Sequence, residues 1–310
     1  MYRSYFQLHS LPFGTSPDPR FLYKMPHIRE ALACLQYGIT ARKGFVVMTG
    51  EVGTGKTTLL RTVLSTFAKD RVTTAFIFNP CLEVLDFLEF VLTDFGIHPN
   101  TRTKSGMLLQ LNRWLIDRYR EDGLCAIVID EAQNLSWELM EEIRLLTNLE
   151  TSSEKLLQIV FSGQTELEDK LRNPRVRQLR QRIALWCRTK PLTGEQTKAY
   201  IAERLRIAGA RQLIFTPEAV QLIQQYAKGI PRVVNLICEH ALISAFVEEI
   251  KPIPARIVEM VCQELVLDDQ PFLISSTGLS SSPMDTLPTA LSGAISPVAD
   301  SINFLKDNEL

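Results

Sequence analysis

The chain has 310 residues, 45% apolar and 22% charged, with a formal net charge of −1. This length suits about two domains; the composition excludes a disordered or fibrous chain, and near-neutrality excludes a global field drawing it to nucleic acid or an anionic membrane. The six cysteines, at 34, 81, 125, 187, 238 and 262, show no metal or disulfide spacing, and several lie in apolar runs where a thiol serves as a small core residue. The N-terminus lacks a signal-peptide apolar core, and no run reaches the roughly 18 apolar residues of a membrane helix. The expected protein is therefore reduced and cytoplasmic, with no membrane insertion of its own.

In chain order, the apolar run 44–49 reads as a strand and leads into Gly50-Glu51-Val52-Gly53-Thr54-Gly55-Lys56-Thr57, followed by Thr58 and helically spaced apolar residues to 64. The run fits G-x-x-x-x-G-K-[ST] at every fixed position. Glycines at 50, 53 and 55 free the backbone to turn its N–H groups toward one point, where they and a helix N-terminus meet anionic oxygens. Lys56 would reach the outer phosphates of a nucleoside triphosphate, and the Thr57 hydroxyl would ligate Mg²⁺.

Strand-like apolar runs recur at 73–78, 124–129 and 156–161, separated by helix-patterned stretches at 84–92, 107–119 and 137–146, the last with Ser136 as N-cap. That alternation predicts a parallel sheet with crossover helices. The run 124–129 ends in Asp130-Glu131 at the carboxyl edge of the sheet, where ligands of open α/β folds sit. Asp130 is expected to hold Mg²⁺, and Glu131 to orient and deprotonate the attacking water. Gln164, after run 156–161, places an amide where it would meet the γ-phosphate or that water, unless it only caps the next helix. Asn79 either restrains Glu131 or simply makes a turn before Pro80.

Between residues 170 and 190 stand Lys170, Arg172, Arg175, Arg177, Arg180, Arg182, Arg188 and Lys190, with no acid among them. The cluster reads as the source of an arginine finger for a neighbouring subunit's nucleotide, as a phosphate-contacting stripe for DNA or RNA, or as a solvated face. From Pro191 strand-like runs nearly vanish. Thr193 to Gln196 reads as a capping box, Thr216-Pro217 as an N-cap followed by proline, and Gly229 as a helix stop before Pro231. Arg232 opens a helix where its charge suits an anionic partner better than the helix dipole. The expected organisation is an αβα domain over 1–190, with 1–40 near the base of the nucleotide, a helical lid over 191–266, and a Ser/Pro/Thr-rich tail over 267–310 that is mostly disordered.

Together these motifs resemble the AAA+ ATPases, P-loop NTPases with a large αβα domain and a small helical lid. Met1-Tyr2, Leu11-Pro12-Phe13, the run 17–23, the loop 49–58, Asp130-Glu131-Ala132-Gln133-Asn134-Leu135, Gly163-Gln164 and Gly229-Ile230-Pro231-Arg232 are similar to the ExeA/GspA group, ATPases associated with general (type II) secretion. The resemblance covers residues 1 to about 266. It implies ATP and Mg²⁺ as ligands, a homo-oligomer, Gln164 as sensor 1, Arg232 as sensor 2, and Arg182 as the trans-acting finger with Arg180 and Arg177 as rivals. It also implies an envelope or secretion partner, which would hold the protein at the inner membrane peripherally. ExeA-type proteins continue into a membrane helix and a peptidoglycan-binding domain; the sequence here ends without either, so a cell-wall role is not expected to carry over. Transposition regulators of the TnsC/TniB kind share the core and make ATP-dependent DNA binding the alternative.

Overall fold

A computed structural model describes residues 1–14, 18–67 and 71–265; the expected tail, 267–310, lies outside them. The chain opens with a short helix α1 (Tyr2–Tyr5) and a longer one, α2 (Pro26–Thr40), that leads to strand β1 (Phe45–Thr49). Helix α3 (Lys56–Thr66) follows the glycine loop, and strand β2 (Val72–Ile77) precedes helices α4 (Val84–Asp94) and α5 (Lys104–Arg120). Strand β3 (Leu124–Ile129), helix α6 (Trp137–Leu146) and strand β4 (Leu157–Gly163) complete the centre of the fold. Helices α7 (Thr165–Arg172) and α8 (Arg177–Arg180) then lead to strand β5 (Leu185–Arg188). Four helices finish the described chain: α9 (Gly194–Ile207), α10 (Pro217–Ala227), α11 (Pro231–Val247) and α12 (Ala255–Glu264).

The five strands are all parallel in the order β2-β3-β4-β1-β5. Alternation along each strand sends its side chains into two cores. Val46, Met48, Ala126, Val128 and Val160 join α2, α3 and the C-terminal helices on one face; Phe45, Val47, Ile127, Ile129, Ile159 and Phe161 meet α4 to α7 on the other. Each fully buried Val, Ile or Phe contributes about 1.5–3 kcal/mol, and the Phe45 and Phe161 rings lock edge-to-face at 4.7 Å. Gly38 lets α2 lie close on the sheet, since a Cβ there would stand 2.4 Å from Val46 Cγ2.

Strand β5 escaped the sequence pattern because it is short, half-exposed and of mixed polarity, and lies inside the basic segment. Residues 1–13 pack on the C-terminal helices: Tyr2, Phe6, Leu8 and Phe13 share a core with Tyr200, Leu205, Ala208 and Ile237. Thr193 and Gln196 form the reciprocal capping pair of α9, and Thr216 caps α10. Gly229 ends α10 at φ +76°, and Leu192 N–H donates to its carbonyl at 2.7 Å. That bond ties the entry of α9 to the entry of α11.

A Cβ at Gly229 would stand 2.0 Å from the Leu192 carbonyl oxygen, at a φ that side chains rarely adopt. Gly229→Ala should therefore cost about 2 kcal/mol or more. Urea unfolding followed by circular dichroism checks this; an unchanged midpoint would refute it.

Candidate active site

The strand ends are in step. Ile129 of β3 pairs with Phe161 of β4, and Thr49 of β1 pairs with Gly163, so Gly50, Asp130 and Gln164 leave the sheet at one edge. Gly55 takes φ +95° as N-cap of α3, and Gly53 takes φ +80°, which turns the loop over the start of that helix. Thr189, just beyond β5, walls the loop from the side: its N–H donates to Thr49 O at 2.8 Å, and its hydroxyl lies 2.7 Å from that of Thr54. Gly50 leaves the room for it, since a Cβ there would fall 2.0 Å from Thr189 Oγ1.

The Asp130 carboxylate gathers three elements. Its Oδ2 accepts from the Thr57 hydroxyl at 2.7 Å, and its Oδ1 accepts from the Ser162 hydroxyl at 2.7 Å and from Glu131 N–H at 3.1 Å. Glu131 stands at φ +51°, an uncommon conformation for a side-chain-bearing residue that costs about 1–2 kcal/mol. The turn sends its carboxylate to two amides: Oε2 accepts from Gln133 Nε2 at 2.6 Å and from Gln164 Nε2 at 3.1 Å. Gln164 N–H in turn donates to Gln133 Oε1 at 3.1 Å. Asn79 is elsewhere engaged, its Oδ1 accepting from Cys81 N–H at 3.2 Å. Gln133 is thus the restraining amide that the residue-by-residue reading missed, although it stands in the Asp130–Leu135 run.

Lys56 Nζ donates to the carbonyls of Gly50 at 2.8 Å and Glu51 at 3.0 Å. Burial lowers its pKa, opposed by the charges of Glu131, Asp130 and Glu166. A cavity of about 410 Å³ opens above the loop, lined by Val52 to Thr58, Glu131, Pro231 and Arg232, and also by Phe21, Tyr23, Met25, His27, Tyr200, Arg204 and Asn235. Arg232 N–H donates to Gly53 O at 3.2 Å, which seats α11 directly on the loop. Burial and the nearby Lys190 charge together lower the pKa of His27.

The structure therefore brings together residues 50–58, Asp130, Glu131, Gln164 and Arg232. It does not bring Arg182 to them: that guanidinium donates to the Thr147 hydroxyl at 2.5 Å, beyond the end of α6. The rest of the basic segment divides. Arg172 pairs with Asp169, Arg188 with Glu168, and Lys170 donates to the Gln133 and Leu135 carbonyls and sits over Trp137. Arg177 and Arg180 are exposed. Among the described residues, no cluster of three or more His, Cys, Asp or Glu could hold a metal, and no helix is long and apolar enough to cross a membrane.

A parallel sheet with this loop and acid pair defines a P-loop NTPase. An AAA domain family model matches residues 39–171. The fold is similar to Cdc6p of Pyrobaculum aerophilum (TM-score 0.62, 18% identity, 84% of this chain and 70% of that one). It is also similar to ORC2 of Aeropyrum pernix, solved as ADPNP–ADP complexes (TM-score 0.58, 16% identity, 80% and 72%). General secretion pathway protein A of Aeromonas hydrophila is 42% identical over 247 residues, 79% of this chain and 45% of that protein. In its AAA+ core, the chain belongs to the ExeA/GspA type, and it spans less than half the length of that relative.

Glu168 anchors the base of the loop, accepting from the Thr49 hydroxyl at 2.6 Å and from Arg188 Nε at 2.8 Å. The Arg188 hydrogen bonds, aided by Thr49 and opposed by burial, hold its carboxyl below the usual value. A depressed folded pKa gives stability that is present above the unfolded value of about 4.3 and lost as pH falls through the folded one. The stability gap between wild type and Arg188→Met should therefore be open at pH 7 and close progressively below about pH 4.3. Paired urea titrations across that range test it, and a gap independent of pH would refute the assignment.

Proposed function

We propose that this chain binds and hydrolyses ATP with Mg²⁺, as a homo-oligomer in which a neighbouring chain's arginine completes each site, and that it serves a secretion or cell-envelope system as motor or switch. The observation that carries the reading is the Thr57–Asp130–Ser162 junction, with Glu131 in the same cavity as Lys56. One hydroxyl and one carboxylate are hard oxygen donors, the small set Mg²⁺ takes when phosphates and water fill its other positions. Bound there, the ion would offset charge on the outer phosphate oxygens.

The loop amides and the α3 N-terminus would hold the phosphates. Lys56 would exchange the Gly50 and Glu51 carbonyls for phosphate oxygens, recovering the charge partner that burial withholds from it. Glu131 would orient the attacking water and take its proton as the water oxygen bonds to the γ-phosphorus and the bond from that phosphorus to the bridging oxygen breaks, releasing ADP. Gln133 and Gln164 hold that carboxylate, so their amides set where it points. Arg232, on the helix seated against Gly53, would meet charge developing on the transferred group. The tie to secretion rests on the likeness to general secretion pathway protein A.

Glu131→Gln should keep ATP affinity in calorimetry while steady-state phosphate release drops at least about 100-fold. Undiminished turnover would remove Glu131 from its role. The finger is drawn from Arg177, Arg180 and Arg182. Each Arg→Ala variant, mixed with Lys56→Ala, should reveal it: only the true finger variant loses activity alone, by about 10³-fold or more, and regains part of it on mixing. If none recovers, the shared-site arrangement is wrong. The competing reading, ATP-dependent binding to duplex DNA, draws on the exposed Arg177 and Arg180, and filter binding at about 50 mM salt distinguishes it through retention that falls steeply with added salt.

A further inference from the structure

Arg232, Asn235 and Glu239 follow one another at i, i+3 and i+7, so they share one face of α11. At one end of that face Arg232 lines the cavity, as do Asn235 and its neighbours Tyr200 and Arg204. A Cβ on Gly53 would meet Arg232 Cβ and Ile230 Cγ2, both at 2.9 Å, so the helix has no slack above the loop. In the middle, Asn235 Oδ1 accepts from the Tyr200 hydroxyl at 3.0 Å, and that hydroxyl accepts from Arg204 Nη1 at 2.9 Å. At the far end both Glu239 oxygens lie within reach of the Tyr2 hydroxyl, at 2.7 and 2.9 Å.

The N-terminal arm holds this stripe at two points. Tyr2 is one; the other is the Pro12 carbonyl, which accepts from Arg204 Nε at 2.5 Å. Arg204 is only 8% exposed, and its guanidinium lies 4.8 Å from the Phe21 ring centroid and 5.3 Å from that of Tyr200. Burying a guanidinium with only neutral hydrogen-bond acceptors is costly, and the aromatic faces offset part of that cost. A surface strap needs no such device. Between the two points, His9 N–H donates to the Ala208 carbonyl at 2.7 Å, and Gly209 makes room for the His9 ring, which a Cβ would approach to 2.1 Å. Burial and the Glu239 carboxylate push the Tyr2 phenol well up, so it stays a donor even where an ordinary phenol ionises.

We propose that Tyr2, Tyr200 and Arg204 are positioning residues for Arg232, so that the N-terminal arm, whose Tyr2 and Pro12 lie outside the cavity lining while Tyr200 and Arg204 reach it, sets the height and rotation of α11 above the phosphate loop and takes part in hydrolysis without itself touching the nucleotide. The inference rests on the reading of Arg232 given above. A shift of α11 along its axis would move all three stripe residues together, because a helix transmits axial displacement rigidly. Releasing either arm contact therefore loosens Arg232.

The test is a kinetic cycle on the full chain: Tyr2→Phe, Tyr200→Phe and Arg232→Ala, singly and combined. The tyrosine variants keep their rings and lose only a hydroxyl. Each should lower kcat about five-fold and change KM for ATP less than about two-fold. Neither should lower kcat further in the Arg232→Ala background, since it acts through that arginine. Glu239→Gln, which retains an acceptor for the phenol, should keep most of the activity that Glu239→Ala loses. Equal fractional losses in both backgrounds, or unchanged kcat in both tyrosine variants, would overturn the inference alone. A silent Arg232→Ala would instead overturn the reading of Arg232, and this inference with it.

Discussion

The Asp130 carboxylate is the constraint from which the site follows, because each of its oxygens is committed to a different part of the fold. The Thr57 hydroxyl comes from the helix after the loop, Ser162 from β4, and Asp130 itself from the end of β3. A one-residue slip of β3 against β4 would reverse every side chain of the slipped strand and remove both hydroxyls from reach. Sheet register and site geometry are therefore one specification. The apolar burial that fixes the register on both faces of β3 and β4 also fixes the distance between the phosphate loop and its acid.

A second constraint couples the sheet to the helices beyond residue 191. Gly53, Gly229 and Gly50 each stand where a Cβ would collide with another segment: Ile230 and Arg232, Leu192, and Thr189 in turn. At these positions the loop, the exit of β5 and the entry of α11 approach backbone to backbone. Gly53 has a double duty. Its φ of +80° shapes the cradle, and its missing side chain lets α11 rest on the loop. Movement of α11 must then be felt at Gly53, through the bond from Arg232 N–H.

What the sequence disclosed tracks how local the signal was. The phosphate loop, the strand-like runs of β1 to β4, the Ser136, Thr193 and Thr216 caps, and the acid pair at the end of β3 are set by neighbours in the chain, and composition or spacing reveals them. Strand β5 was illegible because an edge strand of Leu-Trp-Cys-Arg carries neither a continuous apolar run nor clean alternation. Gln133 was overlooked because its partner Glu131 turns back through a positive φ, which nothing in the residue types announces. Arg204 lies 192 positions from Pro12, and Tyr2 lies 237 from Glu239. Contacts of that separation leave no periodic trace.

The basic segment shows how structure changes the weight of a charge count. Eight cations within residues 170–190 suggest a strong anionic surface, but helix α7 supplies its own acids one turn earlier and Glu168 receives Arg188. With Lys170 held by carbonyls and Arg182 by Thr147, the cations left to face a polyanion are Arg175, Arg177, Arg180 and Lys190. Each phosphate contact contributes about −0.9 to the salt slope, so four such contacts change affinity about 150-fold between 50 and 200 mM salt. A protein of net charge −1 adds no long-range attraction to that. One well-placed guanidinium at a neighbour's phosphates, by contrast, changes rate by about 10³ or more. At the proposed shared nucleotide site the exposed Arg177 and Arg180 would thus have more leverage than on duplex DNA.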